Sequence, residues 1–175
     1  MNQKLWEDCV EFHGHECPGL AIGFRAAIEA MRILDIKRDI DEELYCITEN
    51  DACGVDAVQV LTGCTLGKGN LIYRPVGKMA FSFYEKKSGK SIRLMLKSMP
   101  EDMDRPQRQN FILNEPFDDV FKVTETFYKL PEKAKIFKNE TCENCGETTA
   151  EHKIRLQEGK KLCLDCFTDY DRKII

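Results

Sequence analysis

Two places in the sequence gather residues that bind metals or react as nucleophiles. Near the C-terminus, Cys142 and Cys145 form one C-x-x-C pair and Cys163 and Cys166 another, with 17 residues between the pairs. That spacing is a zinc signature, because each pair supplies two thiolates from one tight knuckle and four thiolates complete a tetrahedral zinc site. Four sulfurs leave no open coordination position, so a metal held there is structural. Gly146 suits the turn of the first knuckle, while His152 and Asp165 are read as bystanders.

The second place is the stretch FHGHECPGL, where His13, His15 and Cys17 fall within five positions ahead of Pro18. Proline suits the first position of a helix, so these side chains collect at a helix N-terminus, where unpaired N–H groups and the helix dipole favour a thiolate. A second group, DACGVDAVQVLTGC, sets Asp51, Cys53, Asp56 and Cys64 around another short helix. Residue types alone leave two readings open. In one, a histidine and one or two cysteines from the separate segments hold a catalytic Zn or Fe. In the other, the histidines bond the turn and the cysteines pack as small apolar residues. The glycine-rich TGCTLGKGNL, carrying Lys68, lacks P-loop spacing and is read as a plain loop into the next strand.

The elements around these groups follow from periodicity. Leu5, Trp6, Cys9, Val10 and His13 recur at helical spacing, predicting a helix over residues 2–13 that ends at Gly14. A second helix runs from Pro18 to about Leu34, apolar almost all round and therefore central, with Gly19 and Gly23 open to close approach by another backbone. LYCITEN reads as a buried strand, DAVQVLTGC as a helix opened near Cys53, and GKMAFSFYEKKSGKSIRLMLK as a hairpin. Helical segments and a last strand follow, then a hairpin turning at Glu158-Gly159, and a helix starting in LDCFTDYDRKII, as in a treble-clef or zinc-ribbon finger. Strands and helices are interspersed and a hairpin argues against a purely parallel sheet, so the class is α+β. The expected division is a core over residues 1–138 and a four-cysteine zinc-finger domain over 139–175.

Composition sets the outer limits. The chain has 175 residues, 42% hydrophobic and 32% charged, with a net charge of −4, which suits a folded domain and a small appendage. The tail after Leu130 holds nine basic and nine acidic residues, so nucleic acid is disfavoured as a partner. No apolar run reaches membrane-span length and the first residues carry acids, from which the expectation is a cytoplasmic protein whose cysteines ligate metal, react or fill the core.

FHGHECPGLAIGFRAA followed by CGVDAVQVLTGCTLGKGNL resembles the FmdE family, proteins named for their association with formylmethanofuran dehydrogenase, and the cysteine-rich tail resembles the finger some members carry. The resemblance implies a mixed sheet flanked by helices, often likened to thioredoxin, with a C-terminal treble-clef finger. It also implies homodimers and a metal in the core, Zn or Fe, beside the structural Zn of Cys142, Cys145, Cys163 and Cys166. Carried over by motif, the core site involves His15, Cys17 and Cys53, with His13, Asp56 and Cys64 as neighbours and with Cys17, Cys53 and Asp56 as catalytic candidates. Three functions stay in view: a metal-dependent enzyme or accessory protein of molybdenum- or tungsten-linked one-carbon redox metabolism such as methanogenesis; a thiol redox or metal-delivery protein; and a docking module for formylmethanofuran dehydrogenase subunits. No residue named here specifies the small-molecule substrate.

Overall fold

The computed structural model describes residues 2–38, 43–130 and 136–170. Its contacts divide the chain into two units, Met1–Leu130 and Pro131–Ile175. Nine cysteines are free thiols, and no helix among the described residues is long and apolar enough to cross a membrane.

The first unit opens with α1 (Gln3–His13), capped by the Asn2 side chain and ended by Gly14 at φ 90°, whose N–H bonds the Val10 carbonyl. Helix α2 (Pro18–Leu34) starts on Cys17, with proline in its first turn, and buries nine of its 17 residues. This is the central helix expected from its apolar surface. Strand β1 (Leu44–Thr48) is buried along its whole length, and α3 (Gly54–Thr62) follows it. Then come β2 (Leu71–Tyr73), β3 (Ala80–Glu85) and β4 (Ser91–Leu96). Helices α4 (Arg105–Asn114) and α5 (Phe117–Val120) precede β5 (Phe121–Thr124).

The five strands form one mixed sheet in the order β2-β1-β3-β4-β5. β1 and β2 are parallel, joined through α3, and every other pairing is antiparallel. Phe81, Phe83 and Leu94 face the helices and join Leu20, Phe24 and Val58 in the main core, where Trp6 meets Phe24 edge to face at 5.3 Å. Tyr45, Ile47 and Tyr84 point the other way and are covered by Tyr128 and Leu130. On that second face lies a buried ion pair that no local pattern in the sequence announces: Arg93 donates to both oxygens of Glu49 at 2.6 and 2.9 Å. Glu49 is fully buried, so its charge is tolerable only in this bidentate partnership.

One contact governs where the candidate site falls. A Cβ placed on Gly23 would lie 1.9 Å from the Gly54 carbonyl oxygen, so α2 and α3 touch backbone to backbone. The expected close approach at Gly19 and Gly23 is thus made by the start of α3.

The second unit consists of two hairpins, β6 (Asn139–Thr141) with β7 (Thr148–Ala150) and β8 (Arg155–Gln157) with β9 (Lys160–Leu162). Glu158 and Gly159, both at positive φ, make the turn expected of β8–β9. The helix expected at the second knuckle is not formed within residues 164–170. The Gln157 amide donates to the Thr168 carbonyl at 2.9 Å and accepts from the Thr168 N–H at 3.1 Å, occupying backbone groups that a helix would use. The rest of that expectation, residues 171–175, lies outside the described residues.

Candidate functional site

His13 is the last residue of α1, and the left-handed Gly14 ends the helix there and turns the chain back. Four residues on, the Cys17 sulfur caps α2 by accepting the Leu20 N–H at 3.2 Å. His13 Nδ1 and Asp56 Oδ2, in the first turn of α3, are 2.7 Å apart. With Nδ1 donating to the carboxylate, the Nε2 lone pair is left for another partner. Nε2 stands 3.9 Å from Cys17 Sγ. The His15 ring packs against His13 with centroids 4.5 Å apart, and ligand atoms of His13, His15 and Cys17 all lie within 4.8 Å of one another.

Cys53 reaches the same place from the N-terminus of α3. A Cβ on Gly19 would stand 3.5 Å from Cys53 Sγ and 3.7 Å from Cys17 Sγ, so the two thiols converge over a glycine. Burial, then the hydrogen bond and charge of Cys17, push the Cys53 thiol up from its ordinary value. Cys64 does not join this group. It is fully buried, donates to the Leu44 carbonyl at 3.4 Å and lies near Cys46, whose thiol is held well above the ordinary range by burial and then by Cys64.

The donor set fits a metal. Ligand atoms 2.0–2.3 Å from a tetrahedral zinc are separated by about 3.3–3.8 Å, and those of His13, His15 and Cys17 lie within 4.8 Å of one another. Asp56 behind His13 is the usual carboxylate partner of a metal-binding imidazole.

A cleft of about 470 Å³ opens beside this cluster, lined by His13, Cys53 and Asp56 and, further out, by Asp51, Leu66 and Tyr73. It lies past the C-terminal end of β1, where the chain leaves the sheet for α3, a usual place for ligands in sheets with parallel pairs. The signal that could have found it is the polar run Glu49-Asn50-Asp51 just after the apolar strand, the first two residues of which the LYCITEN reading assigns to the strand. Tyr73, on β2, went unread because nothing local links it to Asp51, 22 residues away, whose carboxylate accepts its hydroxyl at 3.2 Å.

In the second unit Cys142, Cys145, Cys163 and Cys166 offer four sulfurs within 4.8 Å of one another. Both knuckles are hydrogen-bonded turns: the Gly146 N–H bonds the Cys142 carbonyl and the Phe167 N–H the Cys163 carbonyl, each at 2.9 Å. The backbone N–H groups of Cys145 and Cys163 pull the Cys142 thiol down to about 6. The Glu147 N–H pulls Cys145 the same way, but its hydrogen bond to Cys142, burial and the other two thiols push it up to about 12. Four sulfurs gathered in this way are the donor set of a closed tetrahedral structural zinc site. His152 lies outside the set, its ring against Phe137 at 4.0 Å.

Comparison with known proteins gives a family for each unit. Residues 12–138 match the family model described as FmdE, molybdenum formylmethanofuran dehydrogenase operon. Residues 135–172 match the prokaryotic dksA/traR C4-type zinc finger. A relative from Archaeoglobus fulgidus named a probable S-adenosyl-L-methionine-binding protein is 32% identical over 192 residues, covering 91% of this chain and 51% of the relative. The chain therefore spans about half the length of that curated relative. The crystal structure of a tungsten formylmethanofuran dehydrogenase FmdE-like protein from Syntrophus aciditrophicus is similar with a TM-score of 0.72 at 28% identity, covering 94% of this chain and 90% of that chain.

Proposed function

The chain belongs to the FmdE family, and from that premise we propose that its first unit holds a second metal, Zn or Fe, through His13, His15 and Cys17, with Cys53 as a further thiolate. The observation that carries this reading is the Asp56–His13 contact at 2.7 Å with the other ring nitrogen 3.9 Å from Cys17 Sγ. In this reading Asp56 acts by orienting His13, and the adjoining cleft brings a small molecule to the metal. A bound metal would supply a Lewis acid that polarises an oxygen or takes up a sulfur ligand. The chain's own groups bind, orient and shield the reacting molecule. The family's operon supports a place beside molybdenum formylmethanofuran dehydrogenase, docking on its subunits, and the family resemblance is the ground for proposing a homodimer. Tagged chain that retains no component of the dehydrogenase from cells making both would remove that part of the proposal.

Metal content per chain, measured on protein purified without added metal or chelator, tests the site. Wild type carries the finger's zinc and one more ion; His13→Ala/Cys17→Ser keeps only the finger's ion; Cys142→Ser keeps only the core's. Equal content in wild type and the His13→Ala/Cys17→Ser variant overturns the core metal.

The convergence of Cys17 and Cys53 over Gly19 favours a second reading, a thiol–disulfide centre. There the two thiols join in a disulfide, and two electrons and two protons pass to a peroxide that becomes water. Peptide mapping after mild peroxide treatment, with no Cys17–Cys53 crosslink found, would dismiss it.

A further inference from the structure

We propose that the cleft beside the His13–Asp56 pair receives the positively charged head of a small organic cation, held by Asp51, Asp56 and the ring of Tyr73. This rests on the reading of the same site given above and names the class of molecule the site takes.

The lining states the chemistry. Ala52, Val55, Leu66 and Leu71 make apolar walls around a space of about 470 Å³, and among the residues lining it none is lysine or arginine. Lys68 and Lys78 are near in sequence but neither lines the cleft. Several polar groups there are already engaged. The Thr48 hydroxyl donates to the Asn50 carbonyl at 2.6 Å. The Asn50 amide donates to the Lys78 carbonyl at 3.0 Å and accepts the Ala52 N–H at 3.2 Å.

The charge that remains is negative. Asp51 and Asp56 each use Oδ2 in a bond to Tyr73 and His13 respectively, and a carboxylate has capacity for more than one partner. Burial first, then Asp51, push the Tyr73 phenol above its ordinary value, so it stays neutral and presents the electron-rich face of its ring. Tyr73 is 43% exposed, and its hydroxyl bond to Asp51 holds the ring where a cation can sit against ring and carboxylate together. A phosphate or carboxylate ligand would meet two carboxylates and no cationic side chain, so anions are rejected. A divalent ion at the neighbouring cluster is offset by the thiolates of Cys17 and Cys53, leaving Asp51 and Asp56 to face the ligand.

The test compares three probes of one shape on metal-replete protein: choline, its uncharged carbon isostere dimethylbutanol, and the dimethylbutanoate anion. Binding is followed by NMR of the Val55, Leu66 and Leu71 methyl groups. Choline should bind roughly tenfold more tightly than the alcohol, and the anion should leave the methyl signals unmoved. Asp51→Asn and Tyr73→Leu should each cut the preference for choline to about threefold or less. Equal binding of choline and the alcohol, preference for the anion, or no response to any probe overturns the proposal. Metal content is read on the same samples, and Asp51→Asn should keep it. A choline preference in protein lacking the core metal would sink the metal reading and leave this one standing. Full metal with no choline preference would do the reverse.

Discussion

The finger gathers four sulfurs, and the core cluster two imidazoles and a sulfur, within 4.8 Å, but they do so by opposite means. In the finger each pair of sulfurs comes from one local turn, and short hairpins flank the two knuckles. In the core, His13 ends one helix, Cys17 begins the next, and Cys53 and Asp56 come from a third element about 40 residues on. The first arrangement should need its metal in order to fold, because little apolar surface is available there: among the described residues the finger's buried side chains are Cys142, Leu162 and Cys163. The second is assembled by a packed core that exists for other reasons. Metal removal should therefore act on the finger's fold, and packing defects on the core's site.

The largest effect expected is on the finger. Cys142→Ser should abolish zinc binding by the second unit and unfold its hairpins, seen as loss of amide-exchange protection across residues 139–162, with the core protected as before. Protection that survives in the finger would contradict the view that metal is its main source of order.

Next comes Gly23→Ala, which contacts no candidate ligand. The added methyl must displace the Gly54 backbone, so thermal or urea unfolding should show a core destabilised by about 3 kcal/mol or more. Cys17 and Cys53 would move apart, and the core metal should be lost while the finger keeps its zinc. A variant of wild-type stability would mean that α2 and α3 do not touch as described.

A smaller change separates ligation from orientation. Asp56→Asn leaves every sulfur and imidazole in place but weakens the acceptor behind His13, and core metal affinity should fall roughly 10- to 100-fold. A chelator-competition titration measures this, and unchanged affinity would leave Asp56 a surface acid.

The smallest effect is kinetic. In protein stripped of core metal, burial and the neighbouring Cys17 hold the Cys53 thiol above the ordinary value of 9.0. Its protonated form then dominates at neutral pH, alkylation by iodoacetamide should be slow there, and the rate should rise as pH passes above that value. An inflection near or below neutral pH would place Cys53 in a thiolate-stabilising setting and strengthen the thiol redox reading.

How far the site was legible follows the same division. Helical spacing from Leu5 to His13, the proline at 18 and the turn at Glu158-Gly159 are local signals, and α1, α2 and the β8–β9 hairpin followed from them. The C-x-x-C pairs are local too, and their four sulfurs cluster. The helix expected after Cys166 went astray because Gln157, 11 residues from Thr168, competes for the backbone. In the core cluster the residue types were readable and their ranking was not. The motif put weight on His15, Cys17 and Cys53 and treated His13 and Cys64 alike as neighbours. Tertiary packing aims His13 between Asp56 and Cys17 and points Cys64 at a strand carbonyl.

The α+β class, the central apolar helix and the four-cysteine finger were all written in the chain. They depend on composition, periodicity and short spacing, which act within a turn or two of backbone. Tertiary packing was needed to bring Gly23 against Gly54, to pair Glu49 with Arg93 across 44 residues, and to set Tyr73 and Asp51 together at the mouth of the cleft. Those contacts join groups far apart in the chain, and the burial of apolar surface that brings them together is a property of the whole core.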